Sequence, residues 1–140
     1  MFKPRIIVGL LGIDQHEVGA VAVAGLLRDA GMEVIYLGRY NTPDSLLKAA
    51  LDEDADLIGI SCHSWEYLQY MPVLLDGIRQ QGLDVQVVLG GSVITEADAA
   101  QMRTIGVADI FGPESSSEQI VESIRALAAA RQERVRAGSS

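Results

Sequence analysis

Cysteine is almost absent from this chain: Cys62 is the single one among 140 residues. That excludes an internal disulfide and any multi-cysteine metal cage, and it suits a reducing compartment. Basic charge is scarce as well. Lys and Arg number 11 against 19 Asp and Glu, a formal net charge of -8, and no basic cluster offsets it except Arg131, Arg134 and Arg136 near the end. Nucleic acid is therefore not an expected partner. The start of the chain shows no basic stretch followed by a long apolar run and a small-residue cleavage site. It reads as cytoplasmic, with no membrane partner.

What the chain has is enough apolar material, 49% of its residues, to build one domain with a real core. Ile6 to Leu11 is continuously apolar, as a central strand covered on both faces requires. A helix from Ala20 to Ala30 follows, with Gly31 in the capping position. A second strand spans Glu33 to Leu37, and Thr42-Pro43 opens a helix reaching about Glu53. The third strand, Asp56 to Ile60, ends in Ser61-Cys62-His63-Ser64. The next helix, capped by Ser64 or a neighbour, runs to about Gln81, with Pro72 predicting a kink or a later start.

Val85 to Leu89 forms a fourth strand that ends in Gly90-Gly91. Thr95, with Asp98 three residues on, opens a helix that Gly106 closes. A short strand from Ala108 to Phe111 leads into Gly112-Pro113. The last helix starts near Ser115, with Ser115 and Glu118 at capping-box spacing and Ile120, Val121, Ile124 and Leu127 on one side. Five alternations of strand and helix predict an α/β fold with a parallel sheet and right-handed crossovers, and the arrangement chosen for it is a flavodoxin-like (Rossmann-like) doubly wound five-stranded parallel sheet, order 2-1-3-4-5, with helices on both faces. That order brings the turn after strand 1, the Ser61 segment and Gly90-Gly91 to one sheet edge, where ligands bind in such folds.

The turn after strand 1 holds Asp14-Gln15-His16-Glu17-Val18-Gly19. A carboxylate two residues before an imidazole can accept one ring proton and leave the other nitrogen for a metal. Gly19 permits close approach of the helix start. Asp14-x-His16-x-x-Gly19 resembles the signature of cobalamin-binding domains. The likeness extends from Arg5 to Leu127 through Leu26 to Tyr36, Thr42-Pro43, Asp56 to Ser61, Gly90-Gly91 and Ile110-Phe111-Gly112-Pro113. It is nearest to the cobalamin-binding domain or small subunit of methylmalonyl-CoA-type mutases.

The resemblance implies a cobalamin-binding domain over residues 1–130, and the Arg-rich, Gly-Ser end over 131–140 reads as a frayed tail. Adenosylcobalamin would bind with its nucleotide tail detached from cobalt and threaded into a slot at the sheet edge. His16 would be the lower cobalt ligand, Asp14 would orient it, and Gln15 and Gly19 would complete the turn. Ser61 would hydrogen-bond the tail's base, Gly90 and Gly91 would let the tail pass, and Phe111 and Ser115 would line the far side. His63 stands beside Ser61 at the same edge. The cobalt–carbon bond would supply the radical for a carbon-skeleton rearrangement of an acyl-CoA such as methylmalonyl-, isobutyryl- or 2-hydroxyisobutyryl-CoA. The implied partner is a large catalytic subunit with an acyl-CoA-binding barrel, for which 140 residues leave no room.

Five positions depart from the family pattern. Leu10 stands where the acyl-CoA mutases carry lysine, and Glu17-Val18 where they often carry Asp-Arg. His63 replaces a leucine, and Glu114 a glycine. Apolar Leu10 and Val18 are more similar to the glutamate mutase small subunit. A non-catalytic corrinoid carrier or sensor, or a methyl-transfer corrinoid protein, is the other alternative. Receiver domains need an aspartate after the third strand and a lysine after the fifth, where Ser61 and Gly112 stand. Two local questions stay open in the sequence. Cys62 and His63 are either a core residue with a neighbour or a second metal site with His16, and Trp65, Tyr67 and Tyr70 are either core or a contact surface for corrin or partner.

Overall fold

The computed structural model describes residues 2–12 and 16–138. Five strands, β1 (Arg5–Leu11), β2 (Glu33–Asn41), β3 (Leu57–Cys62), β4 (Gln86–Gly91) and β5 (Asp109–Phe111), alternate with five helices. These are α1 (Glu17–Asp29), α2 (Pro43–Asp52), α3 (Tyr67–Gln80), α4 (Glu96–Ile105) and α5 (Ser117–Gly138). The sheet is parallel in the predicted order β2-β1-β3-β4-β5.

The period-two geometry of a strand divides the core into two layers. Ile7 and Leu11 of β1 face a layer built with Leu46 and Leu47 of α2, Met71 and Leu74 of α3 and Met102 of α4. Ile6, Val8 and Leu10 face the other side, where Ala20 and Leu27 of α1 meet Ile124 and Ala128 of α5. Leu10 is fully buried there. Among the described residues no helix is long and apolar enough to cross a membrane.

Local chemistry sets the helix ends. Thr42 caps α2 by accepting from the Ser45 amide at 3.1 Å, while the Ser45 hydroxyl accepts from the Thr42 amide at 2.9 Å. Thr95 caps α4 by accepting from the Asp98 amide at 3.1 Å, and Gly106 ends that helix in the left-handed region at φ 116°. The last helix is capped one residue later than its spacing predicts. The Ser115 amide donates to Gly112 O in a turn, so Ser116 and Gln119 form the reciprocal pair instead. The third helix begins at Tyr67, with no side-chain cap at Glu66, and Pro72 lies inside it rather than setting its start.

Two larger differences concern the edges. β2 continues four residues beyond the predicted Leu37, because the buried Asn41 side chain donates to Leu10 O at 3.1 Å and to Gly38 O at 2.9 Å, pinning an irregular strand end against β1. The end expected to fray from residue 131 is helical to Gly138, and Arg131 is buried. Its guanidinium reaches Asp56 at 2.9 Å and Asp54 at 2.8 Å, and Arg134 pairs with Asp84 at 2.9 Å. Arg131 and Arg134 of the basic cluster seen in the sequence are thus directed at the protein's own carboxylates.

Tyr67 is buried between α3 and α4, its hydroxyl donating to Asp98 at 3.4 Å. Burial, with the Asp98 carboxylate beside it, holds this phenol well above its ordinary value of 10.0. The folded chain keeps a proton that the unfolded chain releases from about pH 10, so stability is intact below that pH and falls as pH rises above it. Tyr67→Phe is expected to flatten the decline of the urea midpoint between about pH 9 and about pH 11. An unchanged slope would show that Tyr67 does not cause it.

Candidate functional site

The carboxyl ends of β1, β3, β4 and β5 meet at one edge of the sheet. There Ser61 pairs in register with Gly90, Cys62 with Gly91, and Gly90 with Phe111. Between these strand ends and helices α1 and α5 lies a cavity of about 300 Å³. Its walls are almost wholly carbon, from residues such as Val8, Ala20, Leu27, Val88, Phe111 and Ile124. The sequence-predicted Gly19, Ser61, His63, Gly90, Gly91 and Phe111 all line it.

The polar groups gather at one end. His63 spans it, with Nε2 3.2 Å from the Ser61 hydroxyl and Nδ1 3.2 Å from the Ser92 hydroxyl. Gly19, on the first turn of α1, lies against this imidazole, and a Cβ there would stand 3.0 Å from His63 Nε2 and 3.9 Å from Ser61 Oγ. The absence of a side chain at Gly19 is what lets the helix start and the histidine share this space.

His16 immediately precedes α1, is exposed, and makes no side-chain capping bond. Its ring lies 5.9 Å from that of His63, tilted by 51°. Asp14 and Gln15 lie outside the described residues. Ser115 is not at the cavity wall: its turn with Gly112 leaves Gly112 and Pro113 to line that side. Glu114 folds back over Gly112, where a Cβ would stand 2.6 Å from its carboxylate oxygens.

Cys62 settles on the opposite face, buried in the layer of α2, α3 and α4. It is a small core residue. Among the described residues no three His, Cys, Asp or Glu side chains are grouped to hold a metal ion. The aromatic trio divides in the same way: Tyr67 is core, Tyr70 packs against it, and Trp65 is 57% exposed. Val18, 87% exposed at the start of α1, Tyr40, 58% exposed near the end of β2, and Trp65, between β3 and α3, all lie towards the carboxyl ends of the strands. The sheet edge around His16 therefore presents large apolar side chains to solvent.

Sequence reasoning missed two features. Ser92 anchors His63, and its place directly after Gly90-Gly91 was the available signal. Glu17 receives a 2.9 Å hydrogen bond from the Tyr36 hydroxyl and lies 3.5 Å from Arg39, tying the start of α1 to the end of β2. Burial, followed by that hydrogen bond to Glu17, raises the Tyr36 phenol above its ordinary value. No local pattern marks this contact, because its partners are brought together by the β1–β2 pairing.

Comparison with known proteins adds to this geometry. The B12 binding domain family matches residues 4–122. The chain is 36% identical over 127 residues to the 2-hydroxyisobutanoyl-CoA mutase small subunit of Aquincola tertiaricarbonis, covering 91% of this chain and 93% of that protein. It is 39% identical over 123 residues to the pivalyl-CoA mutase small subunit of Xanthobacter autotrophicus, covering 88% and 82% respectively. Among solved structures, a cobalamin-binding protein from Desulfitobacterium hafniense DCB-2 superposes with a TM-score of 0.77 at 18% identity, over 89% of this chain and 59% of that one. That last likeness is one of fold.

Proposed function

Because the chain belongs to the B12 binding domain family, we propose that it is the cobalamin-binding small subunit of an adenosylcobalamin-dependent acyl-CoA mutase. The observation that carries this reading is the carbon-walled cavity opening at the sheet edge beside His16. The residues fit the group. A long tail ending in a flat heterocycle needs a slot with apolar walls, close backbone approach and a few hydrogen-bonding groups at fixed points. Gly90 and Gly91 supply the approach and Ser61 a hydroxyl. An exposed imidazole at the same edge is a suitable cobalt ligand, and a carboxylate behind it raises its donor strength.

In this reading His16 would hold cobalt, Asp14 would orient the ring, and Ser61, Gly90 and Gly91 would hold the tail in the cavity between the strand ends, α1 and α5. When bound, adenosylcobalamin supplies a weak cobalt–carbon bond as the radical source. This chain binds and orients the cofactor. A large catalytic subunit with an acyl-CoA-binding barrel supplies the substrate site and covers the edge bearing Val18, Tyr40 and Trp65, whose exposed apolar surface suits a partner or the corrin face. The substrate is a branched acyl-CoA of the kind named in the two small-subunit relatives.

Absorption titration of the purified chain with adenosylcobalamin and hydroxocobalamin tests the reading. Saturable binding is expected, and electron paramagnetic resonance of the reduced complex should report a protein histidine nitrogen on cobalt. His16→Ala should abolish that signal and weaken binding by about tenfold to a hundredfold. Binding with the cofactor's own base still on cobalt, indifferent to His16, would point instead to a carrier or sensor that uses the fold differently.

A further inference from the structure

Resting on the reading above, we propose that His63 is a positioning residue that fixes the Ser61 hydroxyl as a donor into the cavity. The site thereby selects a detached tail whose aromatic base carries an acceptor nitrogen. The two ring nitrogens of His63 each meet a serine hydroxyl, Ser61 at 3.2 Å and Ser92 at 3.2 Å. A neutral imidazole has one donor nitrogen and one acceptor nitrogen, so the chain Ser92–His63–Ser61 runs in one of two directions. With Nε2 protonated, His63 donates to Ser61 Oγ, accepts from Ser92, and leaves the Ser61 proton to be directed elsewhere. With Nδ1 protonated, Ser61 donates to His63 and presents only a lone pair.

The occupant of the cavity decides between the two directions. The cavity walls around Ser61 are carbon, from Gly19, Ile60, Gly90 and their neighbours. An acceptor nitrogen brought into such a place opposite a lone pair would be buried without a donor, which is the expensive case for a polar group. An occupant with an acceptor nitrogen thus locks the first direction, in which three oriented groups act together. A base without such a nitrogen leaves the Ser61 proton facing carbon and gains nothing from the relay. Leucine at position 63 would let the Ser61 hydroxyl rotate without preference. Glutamine would keep the polarity, its amide N–H donating to Ser61 and its carbonyl accepting from Ser92.

The test measures affinities of the wild type, His63→Leu and His63→Gln for two adenosylated cobamides, one carrying dimethylbenzimidazole as lower base and one carrying phenol. The offset from the benzimidazole having to leave cobalt is common to all three proteins and cancels when variants are compared. His63→Leu is expected to weaken the benzimidazole cobamide by about fivefold to tenfold, the worth of one oriented hydrogen bond, and to leave the phenol cobamide unchanged. His63→Gln should retain the wild-type discrimination. Equal changes for both cobamides in His63→Leu, or no change, would overturn the role of His63 while leaving the cobalamin reading intact. If the wild type binds neither cobamide, the cobalamin reading falls and this inference with it.

Discussion

Arg131→Ala is expected to lower the folding free energy by about 3–5 kcal/mol, the cost of leaving a buried charge without its partner. Asp56 is only 2% exposed and Arg131 7%. The guanidinium donates to Asp56 at 2.9 Å and to the Asp84 carbonyl at 2.7 Å, tying α5 to the lower edge of the sheet. Asp56 also accepts from the Arg5 amide at 2.9 Å and from Gln132 at 2.6 Å. Those bonds satisfy its lone pairs but not its charge. Asp54, the second carboxylate on Arg131, is largely exposed and contributes little to this cost. Arg134→Ala is the control: that pair with Asp84 is on the surface and its loss should stay within about 0.5 kcal/mol. Chemical denaturation of the two variants checks the contrast, and similar small losses would show that the buried pair is not a strong link. The site lies at the opposite edge, so cobalamin affinity of the folded fraction should be unchanged.

Gly91→Ala is expected to damage stability and binding together. A Cβ built there would overlap the backbone carbonyl of Cys62 in the neighbouring strand, and Gly91 has φ 154°, a conformation that side-chain-bearing residues rarely adopt. Cys62 and Gly91 are paired in register. Relief therefore requires β3 and β4 to separate where Ser61 and His63 close the cavity. Overpacking and backbone strain together are worth about 3–5 kcal/mol. Gly90→Ala makes the useful comparison, since its Cβ would meet Phe111 at 3.7 to 3.8 Å, an ordinary contact. It should fold nearly as well as the wild type while narrowing the slot. Thermal unfolding with cobalamin titration measures both, and a Gly91→Ala protein as stable as Gly90→Ala would refute the close-approach argument.

Much of the fold was legible because its determinants are local. A continuously apolar β1, the Thr42-Pro43 and Thr95 caps and the Gly106 stop each act over a few residues, and the structure places them as expected. The parallel sheet followed from alternation and handedness, and the flavodoxin-like order chosen for it, which the structure has, brings Gly19, Ser61, Gly90 and Gly91 to one cavity. Elements whose bounds depend on distant partners were less legible. The end of β2 rests on Asn41 reaching Leu10, and the last turns of α5 rest on Arg131 reaching Asp56, 75 residues away. In the sequence Arg131 is one of several arginines in a polar tail.

By itself, then, the sequence determined the periodicity, the caps of α2 and α4 and the alternation that makes the sheet parallel. All of these follow from backbone sterics and from apolar spacing within short windows. Only the tertiary structure decided which side chains those residues meet. It set His63 between Ser61 and Ser92, turned Ser115 away in favour of Gly112 and Pro113, sent Cys62 to the far layer and made Arg131 a buried strut. The physical reason is that direction and partnership of a polar side chain depend on what the rest of the chain brings within about 3 Å, a distance that sequence spacing does not encode.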